Sequence, residues 1–292
     1  MSRLLIHSHR KETSIMVGDP FAALPMYDWP ERRSEVNRQW ADLRDRFRAK
    51  GIVAPDQLVR RNSDMPAVPG GISNSDGQIV APDPASLPPE ELYLPSLWRH
   101  PALLLGQTCW GPMRFGLDEF VDVLGQQDYT GVEGGDSDLY SSAIVARRTV
   151  GDIPAPSNGK SYIALGHLKG KRFIRNSEDS MSGYIGLTED LEEMGSSISI
   201  FHPEILESGG HRQSIIDVAQ GKADVAAIDC LTWELAKRFE PAASSLAVIG
   251  WTARRKGLPF IASKEMSPRI RESEVLAFAK RSKDGYPLLF KI

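Results

Sequence analysis

The sequence predicts an α/β protein made of two lobes. The chain has 292 residues, which is more than a single hydrophobic core usually organises and is enough for two lobes with a core each. Short apolar runs typical of strands alternate with amphipathic runs typical of helices, an order that favours mostly parallel sheets with helices on both faces. Most polar clusters follow a strand or precede a helix, which is the sheet edge where open α/β proteins bind ligands.

The first predicted elements are a short strand, a turn and a helix. The strand and turn lie in ALPMYDWPE, residues 23–31. After them, Ser34 is the expected N-cap of a helix that ends before Gly51. Its buried face is indicated by four apolar residues at helical spacing: Val36, Trp40, Leu43 and Phe47.

Residues 62–90 differ in composition from the rest of the chain. They are dense in Pro, Gly, Ser and Asp, which predicts an exposed, mobile insertion in the first lobe with one short strand at 78–80.

The remaining elements follow as alternating strands and helices. Strands are predicted at 102–105, within 139–148, at 171–174, at 223–228 and as a pair within 244–263. One helix face is indicated by Tyr184, Leu187, Leu191 and Met194, before Gly195. Further helices are expected before Gly221, after Asp229 and over 267–281.

Composition excludes several classes of protein. The net charge is −3, with Lys and Arg scattered along the chain, so no basic surface for nucleic acid is indicated. The two cysteines, Cys109 and Cys230, form no CxxC pair, so neither disulfides nor a zinc site are predicted. No apolar run is long enough for a signal peptide or a membrane span. We therefore expect no membrane insertion and, for the chain as written, a cytoplasmic location.

A turn rich in small residues is the first candidate site. Ser180, Met181, Ser182 and Gly183 precede a predicted helix, and Tyr184 follows them. Backbone N–H groups at a helix N-terminus, serine hydroxyls and a glycine can together hold an oxyanion. Ser180 or Ser182 could equally be the N-cap. Glu178 and Asp179 oppose an anion unless they turn outward or pair with a nearby arginine.

Two residues further along the chain could complete this site. His211 lies in the first turn of a helix after SGG and could donate a hydrogen bond to an anion, or serve a structural role. Asp229 ends an apolar strand, where a buried carboxylate requires partners. Those partners could be a ligand or the N-terminus of the next helix.

The first lobe offers Tyr27 and Thr108, each after a predicted strand. Both combine a hydroxyl with a position at a sheet edge, whereas Trp29 is expected in the core. Signatures of dinucleotide-binding proteins, P-loop NTPases, α/β-hydrolases and zincins do not occur. The sequence therefore indicates no enzyme and no cofactor.

Six segments, taken together and in order, resemble a known family. They are ALPMYDWPE, LLLGQTCWGP, YSSAIVAR, LKGKRFIRNSEDSMSGY, SGGHRQSIIDVAQGKADVAAID and LPFIAS. They resemble the phosphate/phosphite/phosphonate-binding proteins of ABC importers, in the type II periplasmic binding protein superfamily. The resemblance implies two lobes joined by two crossover strands that act as a hinge. The first lobe would comprise 20–145 and 232–292, and the second 146–231.

The resemblance also implies a function and roles for individual residues. The chain would close over a small anion such as phosphate, phosphite or a phosphonate for an ABC uptake system, with a permease as partner. Ser180 to Gly183 and His211 would face the anion. Asp229 would contact an amino group of the ligand or order the hinge, and an aromatic residue near Tyr27 would close over the ligand.

Two features depart from the family pattern and leave alternatives open. Met181 stands where phosphonate binders commonly carry Thr, which removes a hydroxyl and leaves room for a ligand with an apolar part. The missing export signal conflicts with a periplasmic role unless the start is misassigned. A cytoplasmic biosynthetic enzyme on the same fold, with Asp229 or His211 as general base, and a ligand-sensing regulatory protein are therefore the alternatives.

Overall fold

The structure is a computed structural model that describes residues 18–148 and 155–273. Its strands are β1 (Phe21–Ala23), β2 (Ile72–Ser73), β3 (Ile79–Ala81), β4 (Leu103–Gln107), β5 (Val121–Gln126), β6 (Gly135–Asp136), β7 (Leu139–Tyr140), β8 (Ser142–Arg147), β9 (Phe173–Arg175), β10 (Leu206–Glu207), β11 (Val225–Asp229), β12 (Leu246–Trp251), β13 (Arg255–Lys256) and β14 (Pro259–Ser263). Its α-helices are α1 (Arg33–Ala49), α2 (Leu94–Arg99), α3 (Trp110–Arg114), α4 (Leu165–Leu168), α5 (Gly186–Glu193), α6 (His211–Ala219), α7 (Cys230–Phe239) and α8 (Ser267–Glu272).

Two separate sheets form the centres of two lobes. The first has the strand order β1-β4-β14-β5, and the second has the order β10-β9-β11-β8-β12. A small third sheet, β13-β7-β6, lies in the two segments that connect them. The predicted two-lobed α/β fold with two crossover segments is confirmed.

Both main sheets are mixed, although mostly parallel sheets were predicted. β1 is parallel to β4, and β9 is parallel to β10 and β11. The antiparallel pairings all involve β14 in the first sheet or β8 in the second. β8 is the first strand that the chain forms after it crosses to the second sheet, and β14 is the first that it forms in the first sheet after it returns. Each runs opposite to the strands beside it.

Burial on both faces explains why the strands have continuous apolar sequences. Along β8, Ala143 and Val145 pack in one core while Ile144 packs in the core on the opposite face. In the first sheet, Leu103 and Leu104 likewise belong to cores on opposite faces. A continuous apolar run therefore indicates a strand that is buried on both faces, and it does not distinguish parallel from antiparallel strands.

The sheets divide the chain differently from the predicted lobe boundaries. β8 and β12 both lie in the second sheet, whereas the prediction assigned residues up to 145, which include most of β8, and residues from 232 onward to the first lobe. β12 joins the second sheet because it pairs along its length with β8. The strand memberships favour boundaries within 127–141 and 252–258.

The segment 62–90 is folded onto the first lobe. It contains the hairpin of β2 and β3, so the predicted strand at 78–80 pairs with a second strand. The buried Asn62 side chain donates to the Pro88 carbonyl and accepts from the Tyr93 N–H, which fastens both ends of the segment. The mobility of this segment stays a prediction.

Helix α1 buries the predicted face, with Val36, Trp40, Leu43 and Phe47 all in one core. It begins at Arg33, not after Ser34, because a 3₁₀ turn at Pro30–Arg32 leads directly into it. Of the predicted closing helix, α8 covers Ser267–Glu272, and the part beyond 273 lies outside the described residues.

Within the described ranges, no helix has the length and apolarity needed to cross a membrane. Cys109 and Cys230 are free thiols.

Candidate functional site

The serine-rich turn lies between the two lobes, after β9 and at the start of a helix. Residues Met181–Ile185 form one π-helical turn, which continues into α5. The predicted N-cap alternative holds for Ser180, because its Oγ accepts the Gly183 N–H at 3.0 Å. The buried turn places the N-terminal end of a helical segment, with its partial positive charge, at the boundary between the lobes.

Gly183 is required by a close approach. A Cβ at this position would lie 1.7 Å from the Asn176 Oδ1 atom and 3.1 Å from the Ser180 Oγ atom. The Asn176 Oδ1 atom is buried without a hydrogen-bond partner among the described residues. A side chain at 183 would therefore force the Asn176 side chain out of its position.

Met181 links the turn to the first lobe. Its N–H donates to the Cys109 Sγ atom at 3.2 Å, and its side chain is buried. Cys109 directly follows β4 and Thr108. Burial raises the pKa of Cys109 to about 11, against the lowering effect of the Met181 N–H. The thiol therefore stays protonated at neutral pH and is a poor nucleophile.

Ser182 and His211 form the most direct polar contact of the site. The Ser182 Oγ atom lies 2.8 Å from the His211 Nε2 atom. The Nδ1 atom of His211 is buried and has no partner within the described part of the chain. Burial lowers the pKa of His211, and the Asp229 carboxylate opposes this by raising it. Buried surroundings thus favour the neutral ring.

Asp229 belongs to a buried network that joins both lobes. Its Oδ1 atom accepts the Thr232 N–H at 2.8 Å, so it is the N-cap of α7. Its Oδ2 atom accepts from the Tyr27 hydroxyl at 3.0 Å, and the Tyr27 and Tyr129 hydroxyls are 2.9 Å apart. The Leu258 N–H donates to the Tyr129 hydroxyl.

This network contains one residue from each part that a hinge must hold. Tyr27 follows β1 in the first lobe and Asp229 ends β11 in the second. Tyr129 and Leu258 lie in the two connecting segments. Burial, with the Asp229 carboxylate, holds the pKa values of Tyr27 and Tyr129 well above the ordinary tyrosine value. Both phenols therefore remain donors at neutral pH.

The side chains of the other two predicted residues, Thr108 and Tyr184, make no hydrogen bond to this cluster among the described residues. Thr108 is fully buried, and its Oγ1 atom has no hydrogen-bond partner among the residues described. Tyr184 turns away from the cluster, since its ring stacks on Phe173 and lies under the Arg175 guanidinium at 4.7 Å. Tyr184 thus contributes to packing of the second lobe.

The two acidic residues before the turn each have a local partner. Glu178 pairs with Arg175 at 3.5 Å, and the Asp179 carboxylate accepts from the Ser177 hydroxyl at 2.7 Å.

Contacts on two sides of the cluster hold the lobes together. On one side, Arg114 of α3 pairs with Glu189 of α5 at 2.5 Å. On the other, the Arg212 guanidinium pairs with Glu31 at 3.0 Å and lies 4.5 Å from the Trp29 ring centroid. Trp29 thus packs between the lobes as well as in the core.

Several participants were not predicted from the sequence. Tyr129 and Tyr140 stack with their ring centroids 5.3 Å apart. Burial raises the pKa of Tyr140, and Ser182 opposes this by lowering it. Tyr129 lies in a Gly- and Asp-rich connection that has no periodic pattern, and Tyr140 lies near the start of the strand predicted within 139–148. The sequence gave neither tyrosine a signal that would place it beside the serine-rich turn.

A separate open groove lies on the surface of the first lobe. Its volume is about 1000 Å³, and it is lined by residues such as Asp19, Arg33, Arg60 and Glu90. None of the predicted site residues lines it. Two of its arginines pair with neighbouring carboxylates: Arg60 with Asp28 at 2.6 Å and Arg61 with Asp64 at 2.9 Å.

Solved structures similar to this fold include three bacterial proteins. PhnD1 of Prochlorococcus marinus, in complex with methylphosphonate, has a TM-score of 0.59 and 16% identity over 90% of this chain and 84% of its own. A Xanthomonas citri protein bound to a chloride ion has a TM-score of 0.55 and 15% identity over 91% of this chain and 86% of its own. A binding protein component of an ABC phosphonate transporter from Pseudomonas aeruginosa has a TM-score of 0.51 and 16% identity over 89% of this chain and 79% of its own. At these identities the likeness shows the fold.

The sequence itself matches one family. Among curated proteins, none matches the chain. The family described as "ABC transporter, phosphonate, periplasmic substrate-binding protein" matches residues 124–283, which is more than half of the 292 residues. The chain therefore belongs to the family of periplasmic substrate-binding proteins of phosphonate ABC transporters.

Proposed function

We propose that this protein is a solute-binding protein that closes its two lobes over a small oxyanion, such as phosphate, phosphite or a phosphonate. The observation that carries the proposal is the contact of Ser182 with His211 at the N-terminal end of the turn before α5. Two side chains that can donate hydrogen bonds meet there with a partial positive charge. Membership of the phosphonate-binding family supports the same ligand class.

The surroundings of this contact favour binding over catalysis. The Asp229 carboxylate already accepts hydrogen bonds from Thr232 and Tyr27, so it is held in a structural network and is not free to act as a base. The raised pKa of Cys109 disfavours a thiolate. The geometry therefore does not support an enzyme that uses Asp229 as a base or Cys109 as a nucleophile.

Ser182→Ala tests the proposed site. We expect the variant to fold and to bind the preferred anion about ten- to a hundredfold more weakly, because a hydrogen bond to a charged group contributes about 1.5–3 kcal/mol. Titration calorimetry with phosphate, phosphite and methylphosphonate would measure the dissociation constants.

Ser244→Ala is the matched control, because Ser244 is exposed and its hydroxyl bonds only locally to the Pro241 carbonyl. Equal affinity in the Ser182→Ala and wild-type proteins would contradict the proposed site. Absence of binding by the wild-type protein to all three anions would contradict the ligand class.

The transport role is a second part of the proposal. We expect the liganded protein to deliver its anion to an ABC permease at the outer face of the cytoplasmic membrane, as the family description implies. Ligand-dependent stimulation of ATP hydrolysis by the reconstituted transporter would test this role. Equal stimulation with and without the anion would contradict it.

A further inference from the structure

Three arginines around the serine-rich turn are already paired with carboxylates and are not free to hold an incoming anion. Arg175 pairs with Glu207 at 3.0 Å, and Arg212 pairs with Glu31 and Glu240. Arg255, whose guanidinium lies beside Gly186, pairs with Asp190 at 2.6 Å. Each positive charge is thus already matched by a carboxylate.

The groups that face His211 and its serine partner are the remaining sources of charge. Asp229 is the carboxylate that acts on the His211 ring. Tyr140, whose pKa burial raises and Ser182 lowers, is buried and protonated, as is Cys109 across the turn. Burial lowers the pKa of Arg99 in the first lobe, whereas the charges of Tyr93, Asp179 and Glu119 raise it; Arg99 carries its positive charge already and its Nε atom has no partner among the described residues. His211 is therefore the group in this cluster that can gain a positive charge near neutral pH.

Protonation of His211 would also change what Ser182 can offer. A neutral ring whose Nε2 atom accepts the serine proton leaves the Ser182 hydroxyl without a hydrogen for a ligand. An imidazolium donates from both nitrogens, so Nε2–H would bond to the Ser182 oxygen and the serine hydrogen would be free for the anion. The Nδ1–H group, which has no partner among the described residues, would be a further donor.

We propose that His211 takes up one proton from solvent when the oxyanion binds, so that the anion is held as an ion pair with the imidazolium. This inference rests on the proposed function. The proton moves from solvent to the imidazole ring, and no covalent bond forms or breaks. Burial keeps the ring neutral before binding, and the negative charge of the ligand compensates the cost of ionising it. Affinity should then rise as the pH falls.

The test uses two probes that differ in their own ionisation. Methanesulfonate stays fully ionised across pH 6–8, whereas methylphosphonate titrates in this range. We expect the dissociation constant for methanesulfonate to increase by up to tenfold per pH unit as the pH rises. Calorimetry at pH 7 in two buffers of different ionisation enthalpy should show uptake of close to one proton per bound anion.

His211→Gln removes the titrating group and keeps a side chain that can hydrogen-bond to Ser182. We expect it to abolish proton uptake and to weaken binding at pH 6 about tenfold, with little change at pH 8. His167→Gln is the control, since His167 is exposed on the short helix α4. Thermal unfolding of each variant shows that it is folded.

The outcomes separate this inference from the proposed function. If neither anion binds the wild-type protein, the proposed function fails. If methanesulfonate binds with no proton uptake, or if its uptake persists in His211→Gln, the anion-binding function stands and the role of His211 is overturned. Uptake in the wild-type and His167→Gln proteins that is lost in His211→Gln supports it.

Discussion

At the scale of single residues, the Tyr27 hydroxyl makes the contact that ties the first lobe to Asp229. Tyr27→Phe removes hydrogen bonds to Asp229 and Tyr129 and leaves both buried groups with fewer partners. We expect the free energy of unfolding to fall by about 1–3 kcal/mol. Urea unfolding measures it. Tyr162→Phe, at a side chain that is 41% exposed, should change stability little, and an equal effect of both changes would contradict the network's role.

The buried histidines should make stability depend on pH. Burial lowers the pKa values of His100 and His211 in the folded protein, so below the ordinary value of about 6.5 the unfolded chain binds more protons. Stability is then fully present above that value and is lost as the pH falls through it, by at most about 1.4 kcal/mol per pH unit for each ring.

Denaturant unfolding from pH 7.5 to pH 5.5, in the absence of added anions, checks this expectation. His211→Gln should reduce the slope of stability against pH, whereas His167→Gln should retain it. An unchanged slope in His211→Gln would show that the ring is not neutralised by burial.

At the scale of elements, α5 shows how an apolar periodicity becomes a buried face. Leu187 and Leu191 are fully buried in the core of the second lobe, whereas Met194 is 48% exposed. Leu191→Ala should destabilise the protein by about 2–5 kcal/mol, because it leaves a cavity in a packed core. Met194→Ala should cost much less. Thermal and urea unfolding of both variants measure the loss of stability. An equal loss in both would contradict the assignment of Leu191 to the buried face.

The same helix shows which features of an element are legible in its sequence. The spacing of apolar residues predicts α5 and its end near Gly195, since it depends on local geometry. Tyr184 fits that spacing too, but it packs on Phe173 and Arg175 of β9. Its exclusion from the cluster depends on a neighbouring strand, and the sequence gives no sign of that neighbour's position.

At the scale of the whole molecule, Gly111 permits the two lobes to meet. A Cβ on Gly111 of α3 would lie 1.6 Å from the Asp179 carbonyl oxygen in the second lobe. Gly111→Ala should therefore keep the lobes apart at the serine-rich turn. We expect each lobe to stay folded and anion affinity to fall at least a hundredfold, since the Met181–Cys109 contact lies beside this position.

Small-angle scattering and calorimetry together test this expectation. The variant should show a larger radius of gyration than the wild-type protein in the presence of methylphosphonate. Gly166→Ala is the control, because a Cβ there meets nothing within 4 Å. Wild-type affinity in Gly111→Ala would mean that the lobes do not need this contact to hold the anion.

What the sequence by itself determined is the local chemistry: the alternation of strands and helices, the apolar faces of α1 and α5, and the polar residues placed at strand and helix ends. These features depend on periodicity and on capping, which neighbouring residues settle among themselves. The order of the motifs also indicated the family.

Only the tertiary structure decided which of those polar residues meet. It brought Ser182 to His211 and Tyr27 to Asp229, and it added Tyr129 from a connection without a pattern. It also reversed the expected direction of the strands beside the crossovers. The physical reason is that these contacts join residues far apart in the chain. Their positions follow from how two sheets pack and connect, which no local run of residues encodes.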